Sequence, residues 1–249
     1  EGPAAAGNQE GPAAAGNQAG PAGVDRDIRL AELLTDIPEQ TAMGKIYDLA
    51  DVLYARKHYT LVTDTTIVAL KSALRWDGRR GPWTLADIEA QTAHVMALFK
   101  KFDMRGLIIA GGAAADMVSN TGADDIDLFI VGLSDPEARA KIRGLAVHLA
   151  AVLHKAEYKI YRTKRCVTFM GRFQGRYVKL QVILRLHATA AEVIRDFDLG
   201  SAEVAYIPDE ARFIFTPAGW FAHWARLNVL NLNRRRSSYE HRITKYVAR

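Results

Sequence analysis

A single cysteine, Cys166, in 249 residues excludes an internal disulfide framework and any cysteine-rich zinc site. A lone thiol on an apolar segment reads as a core residue rather than a nucleophile, and it is compatible with a reducing compartment. No apolar run approaches the roughly 20 residues of a membrane-spanning helix, and no secretory signal pattern is present. The expected setting is intracellular and cytoplasmic, with no membrane partner. His94, His148, His154, His187, His223 and His241 fall in no ligand spacing. The G-x-G-x-x-G spacing of a dinucleotide site is missing, as are the alternating acids and closing Glu of a calcium loop.

What is present is a globular composition, 49% hydrophobic and 24% charged, enough for one large domain or two small ones. The net charge of +5 is unevenly spread. From Lys155 onward there are 18 Lys/Arg and 8 Asp/Glu, a net of +10, whereas the first 154 residues carry a net of −5. A basic second half suits an anionic partner such as a nucleotide or RNA, or forms a solvated surface.

Residues 1–9, EGPAAAGNQ, repeat without change over residues 10–18. This Gly/Pro/Ala segment has little to bury, so residues 1–23 are expected to be a disordered tail. The chain does not begin with Met, as expected of a processed product or a piece of something longer. Residues 24–103 read as a helical lead-in, with amphipathic segments at 25–37, 41–59, 63–76 and 84–102. Residues 104–249 change pattern. Strands are expected at GLIIAGG, DIDLFIVG, RCVTFMGRF, RYVKLQVILRL, SAEVAYIP and ARFIFT. A helix capped by Ser134, a short helix after Thr189 and two closing helices complete the order. The fold class is α+β: a mixed sheet flanked by helices.

The chemistry gathers in LIIAGGAAADMVSNTGADDIDLFIVG, residues 107–132. A strand ending in Gly111-Gly112 and turning into a helix presents bare backbone N–H groups, and glycine lets a phosphate approach them closely. Asp125 and Asp127 lie two apart on a strand, so both side chains leave one face. Two carboxylates so placed repel unless a cation sits between them, and oxygen donors suit Mg²⁺ or Mn²⁺. The competing reading is an acidic turn leading into a strand.

This stretch resembles the signature of the DNA polymerase β-type nucleotidyltransferase superfamily. Gly111-Gly112 is followed by twelve residues, 113–124, and then Asp125-Ile126-Asp127. The resemblance implies a sheet flanked by helices, two-metal chemistry and a nucleoside triphosphate donor. More loosely, VKLQVILR, EVIRDFDLGSAEVAYI and SSYEHRITKY resemble a branch associated with large DNA viruses and with ankyrin-repeat proteins of eukaryotes. Two departures stand out. Ala113 replaces the Ser that usually follows the glycine pair. The strand expected to carry a third carboxylate offers Lys179, Gln181 and Arg185 on one face, with Gln181 where the acid is sought. Asp198 is the best substitute, or else a turn residue.

Gly111, Gly112, Lys179 and Arg185 are therefore the expected nucleotide-binding residues, and Asp125 and Asp127 the metal ligands and catalytic acids. Nine Lys/Arg and one Glu between Lys155 and Arg185 could receive triphosphate or RNA, or guard a sheet edge. Arg234–Arg236 form a second basic cluster. Tyr239 and Tyr246 share an apolar helical stripe with Ile243, so packing is expected of them rather than base stacking. Two functions follow: a metal-dependent nucleotidyltransferase with an RNA, small-molecule or protein acceptor, or a catalytically degenerate module that binds nucleotide, nucleic acid or a protein partner. A viral structural module using the fold as scaffold is the third reading.

Overall fold

The computed structural model describes residues 26–29, 46–62, 84–120, 122–123, 125–230 and 239–247. The repeat tail, the helix expected at 63–76 and Arg234–Arg236 lie outside the described residues. Among the described residues ten strands are present: β1 Arg26–Arg29, β2 Tyr47–Asp48, β3 Tyr59–Val62, β4 Leu107–Ala110, β5 Ile126–Val131, β6 Lys159–Arg162, β7 Cys166–Phe173, β8 Arg176–His187, β9 Val204–Ile207 and β10 Arg212–Phe215. The helices are α1 Leu49–His58, α2 Leu85–Met96, α3 Gly112–Ser119, α4 Asp135–Val152, α5 Ala190–Arg195, α6 Pro217–Ala225 and α7 Tyr239–Val247. Eight strands form one sheet in the order β2-β10-β9-β4-β5-β8-β7-β6, while β1 and β3 pair separately and in parallel. Within the large sheet only β5 and β8 run parallel. The α+β class expected from the sequence is the one observed.

Both faces of the sheet carry helices. One face holds the larger core, where Leu107, Ile109, Leu128, Ile130, Leu180 and Val182 meet Val52, Ile88, Leu145 and Trp224 from the helices. Period-two alternation dictates this, because Ile126, Leu128 and Ile130 all point away from Asp125 and Asp127. The opposite face is roofed over β4, β9 and β10 by α5, through Ile108, Ala110, Val193, Ile194 and Ala205. Thr84 and Ser134 start α2 and α4 with reciprocal capping boxes, using Asp87 and Glu137. Each box satisfies N–H groups that the first helical turn leaves bare.

Three expectations for secondary structure are corrected. Arg26–Arg29 is a strand where the first helix was expected to begin. The second helix begins at Leu49 and not at Thr41, because Tyr47 and Asp48 pair with Phe215 and Ile214 at the sheet edge. Tyr47 also stacks on Trp220 with ring centroids 4.9 Å apart, so tertiary pairing overrides the local helical pattern. Strand β6 was not foreseen. Its four residues are all exposed, so they carry no alternation to read, and pairing with β7 creates the strand.

Candidate functional site

Strand β4 runs antiparallel to β5 with Ile109 opposite Leu128. The end of β4 therefore arrives beside the start of β5, and the Gly111-Gly112 turn lies at the same end of these central strands as Asp125. Gly111 has φ +70 and ψ −136, a region open to glycine and costly for other residues. Its N–H donates to the Val204 carbonyl, 3.1 Å, which ties the turn to β9. No side chain caps α3. The N–H groups of Gly112, Ala113 and Ala114 are the ones an α-helix leaves without an internal partner. Two rings flank this turn. A Cβ on Gly111 would lie 3.2 Å from Phe197 Cζ, and one on Gly112 would lie 3.5 Å from the Tyr246 hydroxyl. Ala113 is buried and brings no hydroxyl to the turn.

Asp125 and Asp127 share a face, as expected from their spacing, and β8 supplies their neighbours. Lys179 Nζ lies 3.2 Å from Asp125 Oδ2. Gln181 is directly opposite Asp127 in the parallel β5–β8 ladder. With its amide nitrogen toward the acids, Gln181 donates to Asp125 Oδ2 at 3.0 Å and to Asp127 Oδ1 at 3.3 Å. The amide oxygen then faces the Thr168 hydroxyl on β7, 3.3 Å away. Gln181 thus occupies the space between the carboxylates and relieves their repulsion with two N–H groups.

Thr168 was not singled out from the sequence, although a signal exists. Gln174 and Gly175 have φ 49 and 79, the two left-handed residues of a tight hairpin turn. Counting back from such a turn places Thr168 across from Gln181, as observed. Cys166, expected in the core, is half-buried on this same face, with its Sγ 3.5 Å from Thr168 Oγ1.

Two expected site residues are placed elsewhere. Ile183 is opposite Phe129 but Leu186 is opposite Ile130, so β8 bulges at Leu184 and Arg185. The bulge takes Leu184 and Arg185 out of the ladder with β5. Arg185 turns instead to the end of α5, 2.8 Å from Asp196 and 3.8 Å from Glu192. Asp198 is wholly buried and pairs with Arg242 of α7. It does not join Asp125 and Asp127: among the described residues no group of three His, Cys, Asp or Glu side chains could hold a metal ion. Its role is to anchor α7, whose Tyr239 is buried with Leu199 and Ala202.

The donor set bears on Mg²⁺. Two carboxylates fit one hard cation that keeps further positions for water or phosphate oxygens. Gln181 can add its oxygen only by turning the amide nitrogen away from the acids. Among the described residues a second cation finds no third carboxylate here.

Comparison with known proteins adds the following. The family described as "Gabija anti-defense 2 family protein" matches residues 85–226. An uncharacterized protein of Acanthamoeba polyphaga mimivirus is 33% identical over 166 residues, covering 60% of this chain and 36% of the viral protein. The chain thus spans about a third of that relative's length. The solved CCA-adding enzyme complex with ATP is 13% identical at TM-score 0.40, covering 81% of this chain and 40% of the enzyme. The Thermotoga maritima CCA-adding enzyme complexed with tRNA is 14% identical at TM-score 0.34, covering 72% and 34%.

Proposed function

The chain belongs to the Gabija anti-defense 2 family, and we propose that it counters Gabija defence through a nucleotidyltransferase-type site that takes a nucleoside triphosphate. The observation that carries this reading is the placement of Asp125, just before β5, and Asp127, within it, around the one Gln181 amide, at the strand end beside the uncapped N-terminus of α3 at Gly111-Gly112. It agrees with the resemblance of the same residues to the DNA polymerase β-type superfamily.

The bare N–H groups of Gly112, Ala113 and Ala114 would hold phosphate oxygens of the triphosphate. Lys179 would exchange its contact with Asp125 for one with phosphate, as a mobile ammonium can. Asp125 and Asp127 would hold a Mg²⁺ or Mn²⁺ ion, which neutralises phosphate charge and polarises the α-phosphorus when bound. An acceptor hydroxyl oxygen bonds to the α-phosphorus, the bond to the β-phosphate oxygen breaks, and pyrophosphate leaves. Gln181 cannot accept the hydroxyl proton, so within this group of side chains only Asp125 or Asp127 can do so.

A second reading has its own observation. Lys179 and Gln181 already neutralise and bridge the acids, which suits a module that binds nucleotide without transferring it. One experiment separates the two. The protein and an Asp125→Ala/Asp127→Ala variant are incubated with labelled triphosphates, Mg²⁺ or Mn²⁺, and RNA or protein acceptors, with thermal melting in parallel. Label transfer by the wild type alone supports the enzyme. Nucleotide-dependent stabilisation without transfer, unchanged by the cation, supports the binding module. Neither transfer nor any stabilisation overturns both.

A further inference from the structure

We propose that the open face of β6, β7 and β8 is a binding platform for single-stranded nucleic acid, laid against the edge of the aspartate site. The inference rests on the reading of that site only for what the strand would do there, since binding itself needs neither aspartate.

The ladders place the residues. Tyr161, Thr168, Gln181 and Asp127 form one row across four strands, because Tyr161 pairs with Thr168, Thr168 with Gln181, and Gln181 with Asp127. The next row on the same face is Lys159, Met170 and Lys179, and the row after it brings Arg172 opposite Tyr177. Burial tells the two faces apart. Along β7 and β8 the residues of the other face, Val167, Phe169, Leu180 and Val182, are buried, whereas Thr168, Met170, Lys179 and Gln181 are only partly covered. Helix α5 roofs the β4–β9–β10 half of this face. Over the β6–β8 half no described helix closes it.

Two rings stand open on this half, Tyr161 at 52% and Tyr177 at 57% exposure. A single exposed ring on a sheet is ordinary; what distinguishes these two is the company they keep on one face. They alternate with cations. Lys159 lies between their rows, and Lys164 and Arg165 form the exposed β6–β7 turn, none of the three in an ion pair among the described residues. From Tyr158 to Ala191 the sequence contains eight Lys/Arg and no Asp or Glu. Rings that accept any base and cations that accept any phosphate are the two components of a sequence-tolerant single-strand site. An acidic peptide would satisfy the cations but gives the rings no planar partner. A duplex hides its base faces from both tyrosines. The row that begins at Tyr161 ends at Asp127, so a strand lying along it brings its end to the carboxylates.

The test is fluorescence anisotropy with the full chain and four labelled probes: single-stranded RNA, single-stranded DNA, the DNA duplex and poly-glutamate. The wild type is compared with Tyr161→Ala/Tyr177→Ala, Lys159→Glu and Asp125→Ala/Asp127→Ala, each checked for an unchanged melting temperature. All substituted platform residues are exposed, so folding should survive. Single strands, RNA or DNA, bind best. The tyrosine variant loses about tenfold or more in affinity at an unchanged salt slope, whereas Lys159→Glu lowers the slope. The aspartate variant still binds single strands, no more weakly than the wild type because two charges that repel phosphate are gone, so loss of the transferase reading would leave this result intact. The proposal is overturned by equal or tighter binding of the duplex or poly-glutamate, by no single-strand binding at low salt, or by a tyrosine variant that binds normally.

Discussion

Gln181 on β8 faces Asp127 on β5 across a parallel ladder, and its amide, oriented by its hydrogen-bonding neighbours with the nitrogen toward the acids, reaches Asp127 Oδ1 and Asp125 Oδ2 together, at 3.3 and 3.0 Å. An amide therefore stands where a third carboxylate would make the site a receptor for two cations. It holds the acids together by hydrogen bonding instead of by charge.

Replacing Gln181 by Glu should reverse that arrangement. Three carboxylates would repel in the absence of metal, lowering the melting temperature, and Mg²⁺ or Mn²⁺ would restore it by more than in the wild type. Gln181→Leu leaves the acids without their shared donor and should cost about 1–3 kcal/mol irrespective of metal. Melting curves at several cation concentrations read both outcomes. A Glu variant indifferent to metal would show that the pair does not bind cations.

Lys179→Met separates an ion pair that merely stabilises from one that receives phosphate. The Lys179 and Asp125 side chains are 37% and 26% exposed, so the pair should contribute less than about 1 kcal/mol to folding. Triphosphate affinity, followed by calorimetry, should fall several-fold. Equal affinity with a lower melting temperature would leave Lys179 a purely structural role.

The Asp198–Arg242 pair should matter to stability far more than to transfer. Arg242→Met leaves the fully buried Asp198 carboxylate uncompensated, at a cost of about 3–5 kcal/mol. Because α7 is held through this pair and through Tyr239, proteolysis should open the chain near α7 first. Denaturation midpoints unaffected by the substitution would return Asp198 to the list of candidate catalytic acids.

Gly111→Ala tests the turn itself. Its positive φ should impose about 1–3 kcal/mol of backbone strain, and the new methyl would press on Phe197 at 3.2 Å. Chemical denaturation gives the loss. An unchanged midpoint would mean that the turn can take an ordinary conformation.

His187 sets a limit in mild acid. Burial, with the Arg185 cation beside it, pushes its pKa below the ordinary value, while Glu192 and Asp196 pull the other way. A folded pKa below the unfolded one of about 6.5 means that stability is full above that pH and falls beneath it. The contribution from one such group is at most about 1.4 kcal/mol per pH unit. Denaturation of His187→Leu between pH 7 and 5 should show a shallower loss than the wild type. Parallel curves would contradict the assignment.

How much of this is legible without coordinates depends on the range of the forces involved. Period-two spacing is a local property of the backbone, so the shared face of Asp125 and Asp127 and the inward turn of Ile126, Leu128 and Ile130 follow from the sequence. The same holds for the cap at Ser134 and for the glycine turn at Gly111-Gly112. The packing of Tyr239 is likewise written in a helical stripe. The bulge at Leu184 and Arg185 is not written anywhere local. It shows only in the pairing of β8 with β5, and its Arg185 pairs with Asp196 at the end of α5.

The sequence by itself determined which residues could act together: two carboxylates on one strand face, a bare helix N-terminus and a basic, acid-free stretch. It did so because spacing along a strand or helix decides direction. Only the tertiary structure decided which of them meet. Register across strands distant in sequence brought Gln181 between the acids and put Tyr161 in their row, while burial committed Asp198 to Arg242. Those outcomes depend on non-local pairing and on the cost of an unpartnered buried charge, neither of which has a period that a single chain of letters displays.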